Sequence, residues 1–219
     1  MKVLVVSPHP DDETLGAGGT ISRLISEGHA VYWLNITTME GNNFFSDVVK
    51  EKRKKQLEDI TTFLKFTQVY HLNMPTTELE KVDSSKAIEM IGKVFTDIGP
   101  EMLILPDYND VHSDHKIVFD WCYACAKIFR CPTIKHIMTM EIPSETDFGR
   151  PENPFVPNYY VDITDYIERK IEALKIYDTE IGEPPFPRSV ENIKALAMLR
   201  GSVAGVRYAE AFRMIKYIL

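Results

Sequence analysis

Branched apolar residues run without alternation through Val3, Leu4, Val5 and Val6. A strand with one wet face would alternate, so this run reads as a strand buried on both faces, as in parallel sheets. Similar runs predict strands at residues 30–36, 68–72, 102–105 and 134–140. Between them the apolar spacing changes to that of helices. One is predicted over 13–27, with Ile21, Leu24 and Ile25 on one face, and one over 46–65, with Val49, Leu57, Ile60 and Leu64 inward. Two more are predicted at 84–98 and from the polar stretch 106–115 to about residue 130. Strand and helix in alternation make an α/β fold, a Rossmann-like, mostly parallel sheet with helices on both faces in three αβα layers.

The last third of the chain is less regular. It predicts a long Pro-rich loop at 143–157, expected to act as a lid or wall, a strand at 159–163, and a helix at 165–180 with Ile167, Ile171 and Leu174 inward. A break at 182–187 precedes a helix at 190–200, and the end, 209–219, reads as a strand able to cover a sheet edge. No repeat or linker divides the chain, so residues 1–219 are read as a single domain.

Composition narrows the function. A formal net charge of -7 argues against nucleic acid as the main partner, and the basic run from Lys50 to Lys55 lies on a predicted helix, where it reads as a solvated face. No apolar stretch is long enough to span a bilayer and the N-terminus goes straight into a strand, so a cytoplasmic protein is expected. Cys122, Cys125 and Cys131 give no disulfide framework, and the C-x-x-C formed by the first two sits inside a helix, where buried structural thiols are expected. Gly16, Gly18 and Gly19 suggest close approach of the first helix to the sheet; they do not spell a dinucleotide fingerprint, and the carboxylates before them would repel a pyrophosphate.

Chemistry concentrates at two strand ends, the edge where open α/β sheets bind ligands. After the first strand comes Ser7-Pro8-His9-Pro10-Asp11-Asp12-Glu13. The imidazole and two carboxylates within the four positions from His9 to Asp12 are costly beside a core unless a charge compensates them. One reading turns His9 and Asp12 to a divalent cation and leaves Asp11 free, and nitrogen with oxygen ligands suits zinc better than magnesium. The other has Asp11 or Asp12 cap the following helix. After the fourth strand comes Pro106 to His115, with His112 and His115 spaced H-x-x-H. There His115 falls in the first helical turn, where the macrodipole favours a neutral, ligating imidazole. Arg53 falls on the inward face of its helix, either packing its stem with the head in water or contacting an anion or sugar hydroxyl in the cleft. Glu141, at another strand end, is a candidate for holding substrate hydroxyls, while His29, His71 and His136 read as structural.

These segments resemble a known family. Pro8-His9-Pro10-Asp11-Asp12-Glu13 with Gly16-Ala17-Gly18-Gly19-Thr20, together with Asp110-Val111-His112-Ser113-Asp114-His115, is similar to the paired signature of the PIG-L/LmbE superfamily of zinc-dependent N-acetylglucosaminyl deacetylases. Arg53, Leu64, Glu141-Ile142-Pro143-Ser144 and Gly205 to Phe212 extend the likeness. Gln56, Lys65 and Ser113 depart from it where many relatives carry Glu, Gly and Pro. The resemblance implies that His9, Asp12 and His115 bind one zinc ion, that Asp11 is the general base, and that His112 is a second catalytic residue, with Asp110 or Asp114 holding it as imidazolium. Arg53, Glu141 and Tyr208 follow as substrate-binding candidates. The substrate implied is a small molecule or glycoconjugate carrying N-acetylglucosamine, released as acetate and free amine. Alternatives are an amidase on a thiol–sugar conjugate and a non-catalytic sugar- or metal-binding protein. Relatives include hexamers, so a homo-oligomer is expected.

Overall fold

The computed structural model describes Met1–Leu219. An interior strand, β1 (Lys2–Ser7), runs parallel to β2 (Ala30–Thr38) on one side and to β4 (Met102–Leu105) on the other. β3 (Gln68–Pro75) continues the parallel sheet beyond β2, and β5 (His136–Met140) continues it beyond β4. Two further strands, β6 (Tyr159–Asp162) and β7 (Ala209–Tyr217), complete a seven-stranded sheet of order β3-β2-β1-β4-β5-β7-β6.

Each strand face has its own core. Leu4, Val6, Leu103 and Leu105 pack under α3 (Ser84–Ile98) and α4 (Ser113–Cys125), against Ile91, Phe95, Val118 and Cys122. Val3, Val5 and Ile104 pack under α1 (Asp12–Ser26), α2 (Asp47–Leu64) and α5 (Ile167–Ile176), against Leu15, Ile21, Ile60 and Leu174. The expected three layers follow directly, because helices sit on both faces of a mainly parallel sheet. The last helix, α6 (Val190–Ala204), packs against β7.

Four expectations need correction. β7 lies between β5 and β6, antiparallel to both, so the exposed edge on that side is β6. An antiparallel neighbour needs no helical crossover, which frees the C-terminal strand to insert there. α4 stops at Cys125, five residues short of the expected end. α5 covers only Ile167–Ile176 of the expected 165–180. Val49 is 42% exposed in a first turn of α2 that faces solvent, whereas Arg53 and Gln56 on the same helix are buried.

One buried ion pair ties the insertion to the helical layer. Lys170 Nζ on α5 donates to Glu210 Oε1 on β7 at 2.6 Å, and Glu210 also accepts the N–H groups of Gly19 and Thr20 at 2.9 and 2.7 Å. That contact needs α1 close to the sheet, and glycine permits it: a Cβ on Gly19 would lie 2.8 Å from Ile163 Cγ2. Gly19→Ala should therefore overpack the site and cost about 1–3 kcal/mol, read as a lower urea midpoint with an unchanged slope.

Candidate metal centre and active site

The order of strands reverses at β1, whose chain continues to β2 on one side while β4 flanks it on the other. Such a reversal leaves a crevice at the carboxyl ends of the two strands. The register Val3↔Met102, Leu4↔Leu103, Val5↔Ile104 brings the loop after β1 alongside the loop after β4. The two polar clusters thus meet.

His9, Asp12 and His115 converge there. His115 Nε2 lies 3.3 Å from both Asp12 Oδ2 and His9 Nδ1, and His9 Nδ1 lies 3.5 Å from Asp12 Oδ2. The opposite ring nitrogens face carboxylates, His9 Nε2 at 3.0 Å from Asp114 Oδ2 and His115 Nδ1 at 3.1 Å from Asp110 Oδ2. A neutral imidazole donating to its carboxylate turns its lone pair inward. With a cation bound, two nitrogen lone pairs and a carboxylate oxygen would face it, and without one the raised His9 and His115 take up protons there instead.

A cation fits that arrangement. Bonds of about 2.0–2.1 Å to a tetrahedral ion separate neighbouring ligand atoms by about 3.3 Å, and three ligands leave a fourth position open. Protonation responds to the same demand. Burial opposes charging His9, but its hydrogen bonds to Asp114 and Asp12 outweigh this and raise it to about 9. Burial likewise opposes charging His115, yet Asp12 and Asp110 hold it well above its usual value.

Asp11 stands beside this face. It occupies the position before α1, but its carboxylate makes no capping bond, and its backbone is held at φ 134°. A non-glycine residue there is strained, which points to a constrained role. Burial and then the Asp12 charge push its pKa up to about 8, against the pull of Arg188. A cation on Asp12 would relieve part of that push. Asp12 is likewise no helix cap, since its Oδ2 accepts the His9 N–H at 2.8 Å within the cluster.

His112 caps α4, its ring Nδ1 accepting the Asp114 N–H at 3.1 Å. Neither neighbouring carboxylate bonds its ring, contrary to the expected imidazolium. Asp114 is engaged by His9 and the Thr77 N–H, and Asp110 by His115 and the backbone N–H of His112. Burial and the neighbouring His9 and His115 push His112 down to about 4, so it is neutral with its proton on Nε2.

Arg53 reaches the cleft from α2 with its head buried rather than hydrated. Nη1 donates to the Pro10 carbonyl at 2.7 Å and Nη2 bonds Glu180. Glu141 and Tyr208 are not brought to the cleft. Glu141 pairs with Arg200, whose Nε lies at 2.8 Å, and lines a separate small cavity. Tyr208 packs beside Ile163, Ile167 and Ala197.

Arg188 escaped the sequence reading. Its guanidinium donates to Asp11 Oδ2 at 2.8 Å, Ser144 Oγ at 2.7 Å and Glu145 Oε1 at 2.9 Å, and reaches Glu180 at 3.4 Å. Ser144, held at φ 74°, turns its hydroxyl toward this arginine. Glu145 and Glu180 share the cleft wall with Arg53 and Arg188 around a cavity of about 220 Å³. Arg188 directly follows the break at 182–187, and no sequence signal pointed to it.

An open, cation-seeking face with a strained carboxylate at its side is the equipment of a metal-dependent hydrolase. Over residues 4–126 the chain matches the model of the family described as PIG-L, GlcNAc-PI de-N-acetylase, and it belongs to that family. It is 25% identical over 225 residues to the diacetylchitobiose deacetylase of Thermococcus kodakarensis, covering 98% of this chain and 83% of that protein. It is 32% identical over 122 residues to a probable N-acetyl-alpha-D-glucosaminyl L-malate deacetylase 2 of Bacillus cereus, covering 52% of this chain and 55% of that one. Among solved structures, the N,N'-diacetylchitobiose deacetylase from Pyrococcus horikoshii superimposes with a TM-score of 0.78 at 25% identity, covering 98% and 84% of the two chains. No helix is long and apolar enough to cross a membrane.

The carboxylates behind the imidazoles give a direct test. Asp110→Asn and Asp114→Asn should each weaken divalent-cation binding by about 10–100-fold, measured by competition with a chromophoric chelator.

Proposed function

We propose that this protein is a zinc-dependent N-deacetylase that removes the acetyl group from an N-acetylglucosamine-containing small molecule or glycoconjugate. The observation that carries the reading is the convergence of His9 Nδ1, Asp12 Oδ2 and His115 Nε2 within 3.3–3.5 Å, with the Asp11 carboxylate left out of the set. The mixed nitrogen and oxygen donors favour zinc. Bound there, zinc would supply the Lewis acidity that makes water nucleophilic near neutral pH and draws charge from an amide carbonyl.

The remaining work falls to the chain. Asp11 takes the proton of the attacking water, its carboxylate held in place by Arg188 Nη1 at 2.8 Å. His112, fixed as the Nε2–H tautomer by the Asp114 N–H, donates to the oxygen that gains negative charge as the carbonyl is attacked. A neutral donor suffices for this and adds no further positive charge beside the cation. Asp11 then passes its proton to the departing nitrogen, so the water is divided between acetate and amine. Glu145 and Glu180 offer acceptors to sugar hydroxyls at the cleft wall.

Asp11→Asn should lower kcat by about 10²–10⁴-fold while zinc content, measured by atomic absorption, stays at wild-type stoichiometry. His9→Ala should lose zinc and activity together. Near-normal acetate release by the Asp11 variant would remove the general-base role. Chelator-treated protein that releases acetate at the untreated rate would refute the metal dependence.

A further inference from the structure

The strained backbone at Asp11 is held by groups outside its own side chain. A residue's φ is a rotation against the rigid peptide plane that precedes it, here the plane carrying the Pro10 carbonyl and the Asp11 N–H. Side chains hold both of those polar groups. Arg53 Nη1 donates to the Pro10 carbonyl at 2.7 Å, and the Asp11 N–H donates to Glu13 Oε2 at 3.1 Å. On the other side of the Cα, the Asp11 carbonyl accepts the N–H groups of Thr14 and Leu15 at 3.0 and 2.8 Å. With both flanking planes held, the direction of the side chain is set and the φ of 134° cannot relax.

Glu13 does this from an expensive position. It is 0% exposed, and its bonded donors are all neutral: the Asp11 N–H, the Thr14 hydroxyl at 2.7 Å and the Tyr177 hydroxyl at 2.9 Å. A carboxyl group taken wholly out of water without a bonded cation is costly. A solvent-facing glutamate at a helix start can bond the same N–H without that cost. Burial therefore serves the partner that only the interior supplies, which is Tyr177.

Tyr177 joins the two holds. It ends α5, is 0% exposed, and comes to Glu13 from 164 positions away. Its hydroxyl donates to Glu13 Oε1, while the Arg53 guanidinium lies over its ring at 5.5 Å from the centroid, within cation–π range. One side chain thus steadies both the group on the Asp11 N–H and the group on the Pro10 carbonyl. Arg188 fixes the Asp11 carboxylate, so the base is held at its backbone and at its tip by separate devices.

We propose that Tyr177 is a positioning residue for the general base, acting through Glu13 and Arg53 to hold the Pro10–Asp11 peptide so that the Asp11 carboxylate faces the reacting water. The assignment rests on the deacetylase reading for what Asp11 does. It is tested by a double-mutant cycle of Tyr177→Phe with Asp11→Asn in zinc-loaded protein, following acetate release from N-acetylglucosamine per bound zinc. Tyr177→Phe removes one hydroxyl and keeps the ring, and should lower kcat by about 10–100-fold with KM and zinc stoichiometry unchanged. In the Asp11→Asn background the same substitution should change kcat by less than about twofold, because residues that act as a unit do not lose activity additively. A general packing role would instead lower both backgrounds alike. Independently of turnover, a crystal structure of Tyr177→Phe should show Asp11 relaxed from φ 134° and its carboxylate drawn away from Arg188, with His9, Asp12 and His115 in place. Should Tyr177→Phe not fold, Thr14→Val, which removes the other hydroxyl from Glu13 Oε1, is measured in the same way with the same expectation. An unchanged kcat, an equal loss in both backgrounds, or an Asp11 that keeps its backbone angle in the variant would overturn the positioning role. Wild-type protein that releases no acetate would overturn the deacetylase reading, and the Asp11 backbone in the variant crystal would then decide the positioning role.

Discussion

Three donor atoms converging on one point, His9 Nδ1, Asp12 Oδ2 and His115 Nε2, set the constraint that the rest of the structure answers. His9, Asp12 and His115 can hold this geometry only if β1 and β4 are neighbours in one register. A slip of one residue along a strand moves a loop by about 3.3 Å, as far as the donor atoms now stand from one another. The register is guarded by packing, since a one-residue slip exchanges the side chains presented to the two faces. Leu4 and Leu103 belong to one core, and Val5 and Ile104 to the other. The apolar strands that look like mere scaffold therefore fix the distance on which the chemistry depends. Asp110 and Asp114 finish the task by orienting each ring from behind.

Placing so many carboxylates in one cleft has its own cost. Ionised groups taken out of water need partners at close range, and a single missing partner leaves a buried charge uncompensated. Here Arg53 and Arg188 thread between Asp11, Glu145 and Glu180. The backbone at Asp11 and Ser144 carries the strain of bringing these groups together, at φ 134° and 74°. Strain of this sort persists where the surroundings over-determine it. The Arg188 guanidinium bonds side chains of both strained residues, so it belongs to what holds them.

Much of this was legible along the chain, and the boundary has a physical basis. Parallel strands buried on both faces announce themselves as continuous apolar runs, and β1 and β4 did so. The two polar clusters followed because each directly continues such a strand. Features that depend on distant segments meeting were not legible. Arg188 directly follows the break at 182–187 with no period to announce it, and only the folded chain brings it to Asp11, 177 positions away. Glu141 follows a strand like the true site residues, but β5 lies one strand farther from the switch point, and Arg200 neutralises its side chain. β7 looked like an edge strand because the antiparallel partner on each side comes from an earlier part of the chain. Val49 fits the helical period of α2, yet that period says nothing about whether the first turn of the helix is covered.

The two sides of the cleft are walled differently, and this asymmetry gives a substrate its direction. On one side, the loop at 143–157 contributes Glu145 to the cleft wall and is tied down at several points. Asn109 Nδ2 donates to the Arg150 carbonyl at 3.2 Å and Arg213 Nη2 to the Pro154 carbonyl at 2.6 Å, while Arg188 bonds Ser144 and Glu145. Opening it would break several charge-assisted bonds together, each of about 1.5–3 kcal/mol. On the other side, Thr37, Thr38 and Met39 line both the catalytic cavity and a neighbouring groove of about 750 Å³ beside α2. A molecule whose amide sits at the His9–Asp12–His115 face therefore has a path over the ends of β2 and β3. The parts that hold the reacting group are the rigid ones, at the centre of the sheet. The parts along that path lie at its edge, where the register shift between β2 and β3 lets side chains change without disturbing the centre.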